Sequence, residues 1–73
     1  MVNTNEHHLV YAILLSGEVN PNRFQDLEPI TIELTADGNT RLIKSIKDQA
    51  ELFGVLNRVR DLGVRLLRVE ISQ

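Results

Sequence analysis

The stretch from Asp48 to Gly63 constrains this chain more than any other, because it contains a complete amphipathic helix with both of its end signals. Asp48 offers a capping carboxylate, and Glu51 follows three residues later, which is the spacing of a capping box. Gly63 stands just after the last apolar position, where a left-handed C-terminal cap is favoured. Between these ends runs one apolar stripe: Leu52, Val55, Leu56, Val59 and Leu62. The segment predicts a helix that packs by one face.

Two strands are predicted at the ends of the chain. The last one, from Val64 to Ile71, alternates between an apolar face and a face that carries Leu66, Arg68 and Glu70. The first one, from about His8 to Ser16, is apolar at nearly every position, as is typical of a strand covered on both faces. The first strand is therefore expected in the centre of a sheet.

The middle of the chain predicts a helical stub and a hairpin. Asn20 and Pro21 form a helix-start pair, and the stub ends before Pro29. A half-buried strand is then indicated by the alternation of residues 30–35, and Asp37-Gly38 supplies a turn in which both residues tolerate positive φ. The return strand, residues 40–46, has apolar side chains on both faces.

These elements assemble into one α+β domain. Right-handed crossovers place the first strand between the third and the fourth. The prediction is a ferredoxin-like βαββαβ domain with a shortened first helix and a four-stranded antiparallel sheet of order 2-3-1-4, with one main helix on one face. The domain spans residues 8–73, and residues 1–7 are expected to form a flexible N-terminal arm.

Size and composition favour self-association. A chain of 73 residues builds a small core, and without cysteine it has no disulfides to stabilise it. One helix and a stub cover only one side of the sheet, so Leu66, Ile43 and part of the first strand are expected on an open face. Either the long side chains of Arg41, Lys44 and Arg68 cover that face, or identical subunits do. We prefer the interpretation that identical subunits cover the open face, which predicts a homodimer or higher homo-oligomer. A different protein partner is a further expectation.

The composition argues against a nucleic-acid partner, and the lengths of the apolar runs argue against a membrane partner. Net charge is −2, and the aromatic residues are only Tyr11, Phe24 and Phe53, whereas nucleic-acid binders usually show a basic face with stacking aromatics. No apolar run approaches the roughly 20 residues that span a bilayer. The sequence shows no signal peptide, so a cytoplasmic protein is expected.

No catalytic, cofactor or metal constellation is visible, and the protein is expected not to be an enzyme. An enzyme would have to use Tyr11, His7 or His8. Adjacent histidines in a strand point to opposite faces, which is a poor arrangement for a metal. Both histidines are therefore interpreted as solvated surface groups.

Two other features suggest contacts. Arginines near the helix end, including Arg58, Arg65 and Arg68, suit an anionic ligand or an acidic partner. Gly54 costs about 1 kcal/mol in a helix interior, which suggests close approach by another backbone, with the chain's own sheet preferred over a partner helix. The candidate interface or anion contacts are Tyr11, Ile43, Gly54, Arg58, Arg65, Leu66 and Arg68.

The C-terminal segment carries a family resemblance. Its residues Asp48-Gln49-Ala50-x-Leu52-x-Gly54-x-Leu56, followed by Arg60-Asp61-Leu62-Gly63 and Leu66-Leu67-x-Val69, resemble a widespread group of short uncharacterised microbial proteins with the pattern D-Q-A-x-L-H-G-L-L-x-x-x-R-D-L-G-x-x-L-x-x-V. The resemblance covers roughly the last 30 residues and implies a bacterial protein without an established activity. Phe53 stands where many members have histidine, so no role of that histidine is carried over.

The sequence therefore favours a small non-enzymatic interaction or regulatory module that self-associates. The alternative is a small-molecule sensor that binds its ligand at a subunit interface.

Overall fold

The computed structural model describes residues 8–72, and its elements follow the predicted order. The expected N-terminal arm, residues 1–7, lies outside the described residues. The elements are β1 (Leu9–Leu15), a 3-10 helix (Pro21–Leu27), β2 (Thr31–Leu34), β3 (Thr40–Ile46), α1 (Gln49–Asp61) and β4 (Leu66–Ile71). The fold is α+β, with a four-stranded antiparallel sheet of order β2-β3-β1-β4 and one main helix. This confirms the predicted strand order.

The helix ends form as the sequence predicts. The backbone N–H of Glu51 donates to Asp48 Oδ1 at 2.8 Å. The Glu51 carboxylate reaches back one residue beyond the cap and accepts from the N–H of Lys47, also at 2.8 Å. At the other end Gly63 has φ +73° and donates to the carbonyl of Arg60, while the N–H of Val64 donates to the carbonyl of Val59. These two bonds make a Schellman cap.

The stub and the hairpin differ in detail from the prediction. Asn20 caps the stub by accepting from the N–H of Asn22 at 3.0 Å, but the turns are 3-10 rather than α. In the hairpin Gly38 takes a positive φ, +83°, but Asp37 does not. The loop spans residues 35–39 and is closed by a hydrogen bond from the N–H of Thr35 to the carbonyl of Asn39. Asp37 instead pairs with the Thr35 hydroxyl.

The core lies between α1 and the two central strands. Residues paired across β1 and β3 share a face, so the buried pair of Ile13 and Leu42 marks the side of the sheet that α1 covers. Phe24 brings the 3-10 helix onto the same core. The buried apolar cluster is formed by Ile13, Leu15, Phe24, Leu42, Ile46, Val55 and Val59.

Lys44 does not fit the alternative interpretation of the open face, in which long side chains cover it. Lys44 pairs with Tyr11 and lies on the helix side of the sheet, where it is buried. Its Nζ donates to the carbonyls of Leu27 at 2.8 Å and Pro29 at 3.1 Å. Glu51 Oε2 lies 3.5 Å away and supplies a counter-charge. Lys44 therefore ties the segment before β2 to the sheet.

The open face carries Ile43 and part of β1, as predicted, but its aliphatic side chains are only partly exposed. Ala12 is buried, whereas Val10, Leu14 and Ile43 are half-buried. The ion pair between Arg41 and Glu33 (3.3 Å) lies beside them. By contrast, every residue of β4 is exposed, because α1 packs against β3. The exposed aliphatic side chains are therefore concentrated on one edge strand.

Candidate interaction surface

Three aliphatic side chains of β4 form a row that α1 does not cover. Leu67, Val69 and Ile71 are 43, 37 and 54 % exposed. Val69 pairs with Ile13, a core residue, so the row faces the helix side of the sheet. We call these three residues the edge patch.

Among residues 8–72, no strand pairs with the outer edge of β4 beside the edge patch. The N–H of Ser72 donates to the carbonyl of Val10 at 2.6 Å. Because an antiparallel ladder alternates, the backbone groups of Val69 and Ile71 point away from β1, towards the free side of β4. An edge with unpaired N–H and C=O groups and apolar side chains is a template for strand addition.

Charged side chains occupy the other face of the same strand. Arg68 pairs across the sheet with Leu14, and its Nη1 lies 3.7 Å from Glu70 Oε1. Both side chains are more than half exposed. β4 therefore has one apolar face, which carries the edge patch, and one charged face, which carries one positive side chain (Arg68) and one negative side chain (Glu70).

Leu66 lies elsewhere than predicted, because a bulge interrupts β4. The register shifts at Leu14 and Leu15, so that Leu66 pairs with Leu15 while Leu67 has no partner of its own. Leu15 is a core residue, and this pairing takes Leu66 from the open face to the helix side. The strict alternation assumed from the sequence was wrong at this point.

The opposite edge of the sheet offers less. β2 has only four residues, and Pro29 precedes it by two positions. Leu34 is its one strongly exposed aliphatic residue, at 59 %. Short edge strands and nearby proline both discourage pairing with another chain, so β4 is the edge suited to a partner.

Arg58 has a structural role, which corrects its assignment as an anion contact. Its guanidinium donates to both carboxylate oxygens of Asp26, at 2.8 and 2.6 Å, and to the carbonyl of Arg23 at 2.6 Å. This bidentate bond lowers the pKa of Asp26 to about 2 and raises that of Arg58. Arg58 therefore joins α1 to the 3-10 helix.

The arginines predicted as anion contacts do not all share one surface. Arg58 lies against the 3-10 helix, whereas Arg68 lies on the face of the sheet away from α1. Arg65 is exposed just before β4, and its carbonyl accepts the N–H of Ser16 at 2.9 Å. Arg58 and Arg68 therefore lie on different surfaces, and an anion contact at Arg65 stays a prediction.

Gly54 also departs from expectation. It lies on the exposed side of α1, and a Cβ built there would meet no atom within 4 Å. The preferred reading, close approach by the chain's own sheet, is wrong. The partner helix remains a prediction.

A shallow cavity lies at the start of β1 and α1. Its volume is about 290 Å³, and Tyr11 lies in its wall on the helix side of the sheet. Ile43, the other candidate from the central strands, lies on the opposite face. The cavity is lined by Leu9, Tyr11, Ile46, Lys47, Asp48, Gln49 and Leu52.

Within residues 8–72, no group of three or more histidine, cysteine or acidic side chains is placed to hold a metal ion. His8 is exposed, and His7 lies outside the described residues. No helix of that part of the chain is long and apolar enough to cross a membrane.

Comparison with known families covers nearly the whole fold. Residues 10–70 match a family described as a domain of unknown function (DUF8691). The chain belongs to this family. The DUF8691 match runs from β1 into β4 and includes Leu67 and Val69 of the edge patch. No curated protein and no solved structure matches the chain.

Proposed function

We propose that this DUF8691 protein is a small non-enzymatic module that self-associates through β4 and acts by interaction or regulation. The observation that carries the proposal is the edge patch beside a free strand edge. Burying a large aliphatic side chain stabilises by roughly 1.5–3 kcal/mol when it starts fully exposed. Leu67, Val69 and Ile71 are 37 to 54 % exposed in the single chain, so burying each of them on contact contributes a fraction of that free energy.

The finer sequence interpretations belong to the same proposal. The element order and the sheet order support a ferredoxin-like arrangement of the two crossovers. The resemblance of the C-terminal segment supports a bacterial protein, and we propose a cytoplasmic location. Homodimerisation is the simplest assembly, because a two-fold interface uses one surface on both subunits.

The test is the mass in solution. Light scattering at micromolar concentration is expected to give twice the chain mass of 8.3 kDa. Val69→Lys places a charge in the edge patch and is expected to give a monomer. Leu34→Lys is the control, since Leu34 is an aliphatic residue on the opposite edge strand that is exposed even more (59 % against 37 % for Val69), and it is expected to leave the mass unchanged. A monomeric wild-type protein would refute self-association.

The cavity beside Tyr11 favours a second candidate, small-molecule sensing. Its volume of about 290 Å³ is close to the lower limit of ligand sites. A thermal-shift screen of amino acids, nucleotides and other metabolites tests this, because a ligand at 100 times its Kd stabilises by about 2.7 kcal/mol. A shift that Tyr11→Ala abolishes would support sensing at this site. No shift with any compound would leave interaction as the better function.

A further inference from the structure

We propose that a second copy of this chain pairs antiparallel with β4 about a two-fold axis at Val69, so that Arg68 of each copy faces Glu70 of the other. This inference rests on the proposed self-association and specifies its register. It follows from three features of β4: the sides on which its residues lie, the signs of its charges, and the direction of its free backbone groups.

Symmetry fixes the faces first. A two-fold axis that joins two antiparallel edge strands into one continuous sheet must stand perpendicular to that sheet. Residues opposite each other then lie on the same face, and both copies of α1 lie on the same side of an eight-stranded sheet. The edge patch of one copy therefore meets the edge patch of the other.

Charge then selects the register. With Val69 on the axis, Arg68 lies opposite Glu70 of the second copy, and the reverse pair forms at the same time. Sliding one strand by two residues in one direction places Arg68 opposite Arg68 of the second copy. Sliding it by two residues in the other direction places Glu70 opposite Glu70 of the second copy. Like charges directly opposite each other destabilise a strand pair, and opposite charges stabilise it. Of these three registers, only the one centred on Val69 pairs opposite charges.

The apolar face agrees with that choice. In the same register Leu67 lies opposite Ile71 of the second copy, and Val69 lies opposite Val69. All six side chains of the two edge patches then form one cross-strand ladder. Each of these residues is more than a third exposed in the single chain, so the ladder covers surface that α1 leaves open.

The backbone agrees as well. The bond from Ser72 to Val10 leaves the N–H and C=O of Val69 pointing to the free edge. Two such residues on the axis exchange both of their hydrogen bonds. Arg68 and Glu70 then occupy the non-hydrogen-bonded positions, where opposing side chains approach most closely.

Charge reversal tests the register. The R68E chain carries only carboxylates at positions 68 and 70, and the E70R chain only guanidinium groups. Each homodimer is expected to weaken on the order of tenfold, because two attractive contacts become repulsive. An equimolar mixture is expected to form the heterodimer in preference to either homodimer, as native mass spectrometry at low ionic strength would show. The R68E/E70R double variant is expected to recover wild-type affinity.

The chain supplies a matched control on the same face. Arg41 and Glu33 also form a cross-strand ion pair, at 3.3 Å, but within one chain and at the other edge. The R41E and E33R variants are expected to show wild-type dimer affinity and no preference for each other. This control separates interface charge from a general effect of charge on folding.

A cross-link supplies a second readout. Residues on the axis of a hydrogen-bonded pair have Cα atoms about 5.5 Å apart, within the range for a disulfide. The chain has no cysteine, so V69C is expected to form a covalent dimer on mild oxidation, and L34C to react much more slowly. If the wild type is a dimer but either the heterodimer preference or the V69C cross-link is absent, the register is wrong while self-association stands. A monomeric wild type refutes both.

Discussion

Thr40 shows how one buried hydroxyl can join two parts of the fold. The residue is 2 % exposed, and its hydroxyl donates to the carbonyl of Gly17 at 2.7 Å while accepting from the N–H of Val19 at 3.1 Å. Both backbone groups belong to the segment between β1 and the 3-10 helix. Thr40 therefore anchors the first crossover on the sheet.

We expect Thr40→Val to lower the free energy of unfolding by about 1–3 kcal/mol, because it leaves two partly buried backbone groups without their partner. Thr40→Ser keeps the hydroxyl and removes one methyl, so its cost should be closer to 1 kcal/mol. Urea unfolding at a fixed protein concentration measures both. Equal losses for the two variants would show that packing, and not the hydrogen bonds, makes Thr40 important.

The open space around Gly54 leads to a prediction of the opposite sign. A Cβ there meets nothing within 4 Å, and alanine favours a helix interior over glycine by about 1 kcal/mol. Gly54→Ala should therefore raise the free energy of unfolding by about 0.5–1 kcal/mol and leave the dimer mass unchanged.

Gly63→Ala is the control for that measurement. Gly63 has φ +73°, where alanine is strained, so this change should destabilise the protein. Should Gly54→Ala instead reduce the dimer mass, a partner helix must pack at Gly54.

At the scale of elements, the bond between Arg58 and Asp26 holds α1 and the 3-10 helix together. The bond holds the folded pKa of Asp26 at about 2, below the ordinary 3.8. A depressed carboxyl pKa contributes stability above the ordinary pKa and loses it as pH falls towards the folded value.

The stability difference between wild type and Asp26→Asn should therefore be full above about pH 4 and shrink towards pH 2. Thermal unfolding at several pH values measures it. Arg58→Gln removes the same bond from the other side, so its stability difference from wild type should also shrink at low pH. Part of that difference should remain at pH 2, because Arg58→Gln also removes the bond to the Arg23 carbonyl, which does not depend on the charge of Asp26. A difference that stays constant from pH 7 to pH 2 would show that the ion pair does not couple the two elements.

The elements themselves were largely predictable from sequence, because their signals are local. Asp48 and Gly63 mark the ends of α1 through bonds within a few residues, and the apolar run of β1 places it in the centre. The sequence does not predict which strands α1 covers. The alternation of apolar and polar residues assigns each side chain to a face of the sheet, but it does not say which strands of that face the helix packs against. The exposure of Val69 and the bond of Arg58 to Asp26 depend on that placement. The burial of Lys44 depends on contacts with Leu27 and Pro29, which no short-range pattern reveals.

At the scale of the whole molecule, the small core and the free edge of β4 both favour association of two copies of the chain. A domain of this size gains little margin from its own burial, and association stabilises the folded state by mass action. The thermal midpoint of the wild type should therefore rise with protein concentration across the micromolar range.

The Val69→Lys variant provides the comparison. Its midpoint should be independent of concentration if the edge patch forms the interface. If the thermal midpoint of the wild type also stayed constant over a hundredfold range of protein concentration, association in that range would be contradicted.

The position of Lys44 has a practical consequence for chemical labelling. The chain has two lysines. Lys47 is exposed, whereas the Lys44 amine is held by two carbonyls and a carboxylate in the interior. An amine-acylating reagent should modify Lys47 at once and Lys44 only when the surrounding structure opens. Peptide mass spectrometry that follows acylation of Lys44 over time would therefore report how often the folded protein opens, without any engineered probe.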